Sequence, residues 1–194
     1  SVQRKLMTTG KDKNVFNIAV NGNFDDCQNL VKTMFADKNF SNDIKMSGVN
    51  SINWARIIAQ SVYYFYSYFL AEDDKRPINF SVPTGNFGDV YAGYLAKKMG
   101  LPINKLIVAT NQNDILHRAI SKGNYEVENV FETLSPSMDI QVASNFERLV
   151  FDISSSDSKK TLKLMNELGE TGQFNLEKES LEKINKIFCS DSLS

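Results

Sequence analysis

The first fifty residues carry their apolar positions in two rhythms. Val15 to Val20 is a short apolar run closed by Asn21-Gly22, which predicts a strand and then a turn. Phe24, Cys27, Leu30, Val31, Met34 and Phe35 then recur at helical spacing, with Asn23 as the expected N-cap. Ahead of them Val2 to Met7 has a helical pattern. Behind them Asp37 to Val49 is polar and reads as a loop holding a short strand or turn. Ser51 is the expected cap of a long helix running to about Phe69, rich in aromatics at Tyr63, Tyr64, Phe65, Tyr66, Tyr68 and Phe69. A helix apolar on nearly every side is expected to lie buried between layers. Glu72 to Pro77 is charged and predicts a surface connection.

The clearest unit spans Asn79 to Thr110. An apolar run from Ile78 to Val82 leads into a glycine loop. A helical pattern follows from Val90 to Met99, with Gly100 as C′ residue and Pro102 as stop, and a strand from Leu106 to Ala109 completes the unit. Two strands joined this way are parallel, with a right-handed crossover. Asp114 to Ile120 predicts a short helix. Gly123 to Asn145 is irregular, with a turn at Ser135-Pro136-Ser137. Asn145 to Phe151 predicts another helix, and Ser154-Ser155-Ser156 a linker. Lys159 to Leu168 and Leu176 to Phe188 read as amphipathic surface helices, the first ended by Gly169. The pattern is α/β with a parallel sheet.

Composition narrows the function classes. With 194 residues and 42% hydrophobic content the chain suits one domain or one and a half. A net charge of −1 supplies no field to draw nucleic acid or an acidic membrane. The longest apolar stretch, Ile57 to Leu70, is interrupted by Gln60, Ser61 and Ser67, so no membrane span is expected. Cys27 and Cys189 have no metal or redox spacing. Cys27 falls on the apolar helix face, as a reduced, packed thiol suited to the cytoplasm. The chain opens with Ser1 and runs at once into a helix-like segment, so it is expected to be a piece of a longer polypeptide.

The candidate chemistry centres on Thr84-Gly85-Asn86-Phe87-Gly88-Asp89. A strand, a tight glycine loop and a helix start place orphan N–H groups and a positive dipole end where an anion can bind. Gly85 and Gly88 are expected to supply positive φ and close backbone approach. The loop lacks the Lys-Ser/Thr of a nucleotide P-loop and the third glycine of a dinucleotide fingerprint, so a smaller phosphate ligand fits better. A turn needed only for packing has the same shape, and Asp89 would repel a phosphate unless its carboxylate turns away. A second Gly-Asn-Phe, at residues 22–24, is followed by Asp25 and Asp26, whose charge already occupies that helix start. A polar stripe, Asn53, Arg56 and Gln60, falls on one face of the aromatic helix, with Asn50 just before it. Arg56 there needs an anionic partner, either a ligand or one of the chain's own acids. His117 is the single histidine and has no nucleophile or metal cluster around it, which favours a surface or cap role.

Four stretches, in this order and spacing, resemble the threonine synthase family of pyridoxal-phosphate enzymes. They are residues 21–28 (Asn-Gly-Asn-Phe-Asp-Asp-Cys-Gln), 50–56 (Asn-Ser-Ile-Asn-Trp-Ala-Arg), 81–89 (Ser-Val-Pro-Thr-Gly-Asn-Phe-Gly-Asp) and 134–140 (Leu-Ser-Pro-Ser-Met-Asp-Ile). The third continues through Ala92-Gly93, Gly100-Leu101-Pro102 and Ala109-Thr110-Asn111. The resemblance implies a parallel-sheet, three-layer fold of the fold-type-II kind, here incomplete. Residues 1–49 would belong to the smaller domain, and 50–194 to the large cofactor-binding domain with a family-specific insertion around 121–188.

It also implies an activity. The full enzyme would convert O-phosphohomoserine and water into threonine and phosphate, using pyridoxal phosphate. The cofactor phosphate would lie on Gly85, Asn86, Phe87 and Gly88, with Asp89 at the loop's edge. The substrate phosphate would lie against Asn50, Asn53 and Arg56. The family's Phe-Lys-Asp motif, with its Schiff-base lysine, does not occur in this sequence. It is expected upstream in the remainder of the polypeptide, which leaves this chain without turnover by itself. A threonine-synthase-like phospholyase yielding a 2-oxo acid, and a non-catalytic phosphate- or cofactor-binding module, are the alternatives.

Overall fold

The computed structural model describes residues 2–22, 24–48, 52–71 and 74–193. The expectations placed on Ser1, Asn23, Asn50 and Ser51 lie outside those residues. The chain divides into two compact units, Ser1–Ser47 and Gly48–Ser194.

The described residues of the first unit form three helices, α1 (Val2–Met7), α2 (Phe24–Ala36) and α3 (Lys38–Asp43). Two expectations change. Val15 to Val20 forms no strand, and Phe16 and Ile18 are 81% and 87% exposed. An apolar run becomes a strand only when a neighbour takes up its backbone bonds, and the described residues of this unit offer none. The polar stretch after α2 is a helix rather than a loop. Its cause is Asp37, whose Oδ1 accepts from the N–H groups of Asn39 and Phe40, both at 3.1 Å.

The second unit begins with α4 (Trp54–Ala71), β1 (Ile78–Pro83), α5 (Gly88–Lys98) and β2 (Ile103–Thr110). It continues with α6 (Ile115–Lys122), β3 (Asn124–Glu126), a single 3-10 turn at Pro136–Met138 and α7 (Phe146–Ile153). It ends with α8 (Ser158–Thr171), β4 (Gln173–Asn175), α9 (Lys178–Ile187) and β5 (Phe188–Ser192). The main sheet has the order β1-β2-β5 and both pairings are parallel. The fold is therefore α/β around a parallel sheet, as the alternating pattern predicts. β3 and β4 form a separate antiparallel pair.

β5 lies where the pattern predicts only the end of a helix. Phe-Cys-Ser-Asp-Ser is a polar strand with one buried anchor, Phe188, and its alternation is too short to announce itself. Gly169 does not end α8. It sits inside the helix with open space where a side chain would be, and Gly172, at φ 77°, ends it instead.

The aromatic helix is not buried on all sides. Ile57, Ser61, Tyr64 and Tyr68 form its buried stripe, while Tyr63, Tyr66 and Phe69 are each more than 60% exposed. The stripe lies on α5. Gly93 makes this approach possible, because a Cβ there would come within 2.5 Å of the Tyr64 ring. Tyr64 crosses at that point and its hydroxyl donates to the carbonyl of Asp89 at 2.9 Å.

Candidate functional site

β1 ends at Pro83, and α5 begins at Gly88. The chain turns between them under a buried aromatic anchor. Phe87, 1% exposed, meets Phe146 edge-to-face at 5.3 Å and Phe188 at 5.7 Å. Phe146 stacks in turn on Tyr125, and Tyr125 on Phe174. A column of rings from β4, β3, α7 and β5 therefore grips one residue of the loop. Phe87 also takes the left-handed conformation, at φ 63°. Neither glycine does, which corrects the expected division of roles: Gly88 is the first helical residue, and Gly85 is needed for close approach. A Cβ on Gly85 would stand 3.0 Å from the Ser137 carbonyl oxygen and 3.1 Å from Met138 Cα. The left-handed backbone, costing roughly 1 kcal/mol or more for a residue with a Cβ, persists because the ring column overdetermines it.

That geometry frees donors. Thr84 N–H bonds the carbonyl of Ala109 at 2.8 Å, and Tyr91 N–H bonds that of Phe87 at 3.0 Å. Between them, the N–H groups of Gly85, Phe87, Gly88 and Asp89 find no acceptor among the described residues. They stand at the N-terminus of an 11-residue helix, whose dipole favours an anion there. The same residues line a concavity of about 130 Å³, with Arg56 and Gln60 on its α4 wall.

Asn86 ties the loop from the side. Its Oδ1 accepts from the N–H and hydroxyl of Ser144, at 2.6 and 2.9 Å. Its carbonyl accepts from Asn145 Nδ2 at 3.1 Å, and Asn145 is fully buried. Sequence reasoning passed over Ser144 and Asn145. The only signal was a pair of small polar residues just ahead of a helix.

Asp89 lies at the loop's edge. Burial pushes its carboxyl above the usual range, and a hydrogen bond from the Tyr64 hydroxyl, 3.3 Å from Oδ1, pulls partly back. The Asp89 carboxylate is thus engaged by α4 while its own N–H stays unbonded within the described residues.

On α4, Arg56 is exposed and has no ion-pair partner among the described residues, against the expectation of a buried arginine on a buried helix. Asn53 is the helix cap rather than part of the helical stripe. Its Oδ1 accepts from Ala55 N–H at 2.9 Å, and its Nδ2 donates to the Gly48 carbonyl at 2.5 Å. The structure therefore brings Arg56 and Gln60 to the glycine loop and commits Asn53's amide to the backbone.

The 134–140 stretch has a supporting role. Asp139 gathers Thr133 N–H and hydroxyl, Asn111 and Asn113 around its two oxygens at 2.6 to 3.2 Å. Burial acts to raise its pKa, but the bonds from Thr133 and Asn111 outweigh that and hold the carboxyl below the usual range. This cluster fixes the turn whose Ser137 and Met138 press on Gly85.

Elsewhere, a concavity of about 390 Å³ near α8 and α9 is lined by Lys160, Lys163 and Lys183 but also by Glu167, Glu177 and Glu179, so its charges offset. No described helix is long and apolar enough to cross a membrane, and the described residues hold no cluster of three metal-ligating side chains. His117 sits on α6 with Nδ1 buried and unpartnered among the described residues, away from the glycine loop's lining.

No protein-family model matches the chain. Individual relatives do. A threonine synthase of Pseudomonas aeruginosa is 50% identical over 193 residues, covering 100% of this chain and 41% of the relative. That of Saccharomyces cerevisiae is 47% identical over 205 residues, covering 100% of this chain and 40% of the relative. The crystal structure of PLP-bound threonine synthase from Brucella melitensis superposes with a TM-score of 0.89 at 50% identity, covering 98% of this chain and 41% of that one. The chain thus spans about two fifths of the length of the curated relatives it matches. By sequence and by backbone alike, the chain over its whole length is similar to a part of threonine synthases.

Proposed function

We propose that the protein carrying this chain is a pyridoxal-phosphate-dependent threonine synthase, converting O-phosphohomoserine and water into threonine and phosphate. One observation carries the reading: four amide-bearing residues at the start of α5, whose N–H groups find no acceptor among the described residues, line the same small concavity as Arg56, which has no ion-pair partner among them. The amides at Gly85, Phe87, Gly88 and Asp89 fit the phosphate end of the cofactor, and Arg56 stands on the α4 wall beside them. Pyridoxal phosphate, when bound, supplies an electron sink for negative charge that develops on substrate carbon. Gly85 to Asp89 hold its phosphate by main-chain donation and helix dipole, which neither titrates nor swings away. Arg56, with its planar fork of donors, takes the phosphate of the substrate. Asn53 fixes where α4 starts and so where Arg56 stands. Asn50, outside the described residues, is assigned to the same substrate phosphate.

Residues 1–49 are assigned to part of the smaller domain and 50–194 to the large one, with 121–188 as an insertion. The break between units at Ser47 and Gly48 supports the first boundary. The lysine that this chemistry requires is assigned to the remainder of the polypeptide.

The test uses the full-length protein. Arg56→Ala should weaken O-phosphohomoserine binding by at least about tenfold, the loss of a charge-assisted bidentate contact. It should leave the cofactor's absorbance band in place. Enlarging Gly88 to Val should do the reverse. If Arg56→Ala strips the cofactor and spares substrate affinity, the division between the two phosphates is wrong. Threonine, rather than a 2-oxo acid, is the expected product.

A further inference from the structure

Two phosphate subsites on different elements must be held at a fixed separation. The glycine loop follows β1, whereas Arg56 stands in the first turn of α4. A third element joins them. Arg148 on α7 donates from Nε to Asn145 Oδ1 at 3.0 Å and from Nη2 to the Ile52 carbonyl at 2.7 Å. Its guanidinium also lies over the ring of Trp54, 5.3 Å from the centroid. Asn145 continues the path, because its Nδ2 and N–H both point to the Asn86 carbonyl, at 3.1 and 3.4 Å. Arg148 is half-buried and has no carboxylate within ion-pair distance among the described residues. Its fork is spent on a buried amide and a main-chain carbonyl, which is positioning geometry.

We infer that Arg148 is a positioning residue that clamps the Ile52–Arg56 start of α4 to the Asn86 end of the glycine loop, and so sets the spacing between the two phosphate subsites. The inference rests on the reading that Arg56 receives the substrate phosphate. Arg148 touches neither ligand. It acts through Asn145 and the Ile52 carbonyl. A lysine cannot replace it, since one ammonium on a flexible stem does not span both acceptors while stacking on an indole.

The experiment titrates inorganic phosphate, by calorimetry, into the cofactor-loaded full-length protein and its Arg148→Met, Arg148→Lys and Arg56→Ala variants. Cofactor retention is followed by absorbance. Arg148→Met and Arg148→Lys should each weaken phosphate by about tenfold, with cofactor affinity held within about twofold, the scale of coupling through a residue that contacts neither ligand.

Full recovery with lysine would mean that charge alone matters, and overturns the clamp. Equal loss of cofactor and phosphate would mean general destabilisation, and also overturns it. A loss in Arg56→Ala without one in Arg148→Met defeats this inference and leaves the proposed function standing. A loss in Arg148→Met without one in Arg56→Ala makes Arg148 itself the phosphate ligand, and defeats both.

Discussion

The chain carries Gly-Asn-Phe twice, at residues 22–24 and 85–87, and the two copies lie in different surroundings. Before the second copy, a paired strand delivers the chain to a fixed place. After it, Phe87 locks into a column of rings, Asn86 is taken up by Ser144 and Asn145, and the N–H groups of Gly85, Phe87, Gly88 and Asp89 find no acceptor among the described residues. The first copy has no strand before it. Asp26 folds back over Gly22 so closely that a Cβ there would stand 2.6 Å from the carboxylate oxygen. A negative group of the chain's own thus lies beside that glycine. The lesson is that packing from distant elements, and not the tripeptide itself, immobilises such a loop with its main-chain donors unspent.

The contrast can be broken most severely at Phe87. Phe87→Ala removes the anchor and should cost about 4 kcal/mol, the usual toll for an aromatic lost from a core, read as a lowered urea midpoint at unchanged slope. An unaltered midpoint would mean the ring column does not hold the loop. Asn86→Ala should cost about 1.5 kcal/mol, because the Ser144 N–H loses its acceptor, and should loosen cofactor retention.

A smaller effect is expected from Asp89→Asn, and its signature is pH dependence. Burial raises the folded carboxyl, so below about pH 4 both states are protonated and its burial costs little. As pH rises from the unfolded value through the folded one, the unfolded chain ionises first and stability falls. The variant lacks this loss and should gain on the wild type across that window in pH-dependent thermal melts. A parallel pair of curves would remove Asp89 from the account. Least of all should change in the first copy. Asp26→Asn is expected to alter stability by at most about 0.5 kcal/mol and to create no phosphate site measurable by titration. New phosphate affinity there would show that charge alone had kept the two copies apart.

What could be read from sequence follows the same division. β1, the loop, α5 and β2 were legible because the hydrophobic period switches from strand to helix and back, with glycine and proline at the joints. Arg56 stood out as a cation on an apolar helix. The partners of the loop were not legible, because Ser144 and Asn145 meet it, and Arg148 reaches Ile52, only through tertiary folding. β5 escaped because its single apolar anchor carries no periodicity. The α4 reading overshot, since apolarity counts residues but not the surfaces that cover them. Val15 to Val20 overshot likewise, being a run with strand propensity and no strand beside it.

Phe188, which closes one side of the ring column, is supplied by β5, which follows every other member of the column in sequence. A nascent chain that has emerged only through α9 holds Phe87 but lacks that side of its cage. The glycine turn is therefore caged on that side only once β5 has emerged, and a ribosome stalled before β5 would present a half-set loop to proteases and chaperones while β1 and β2 can already pair.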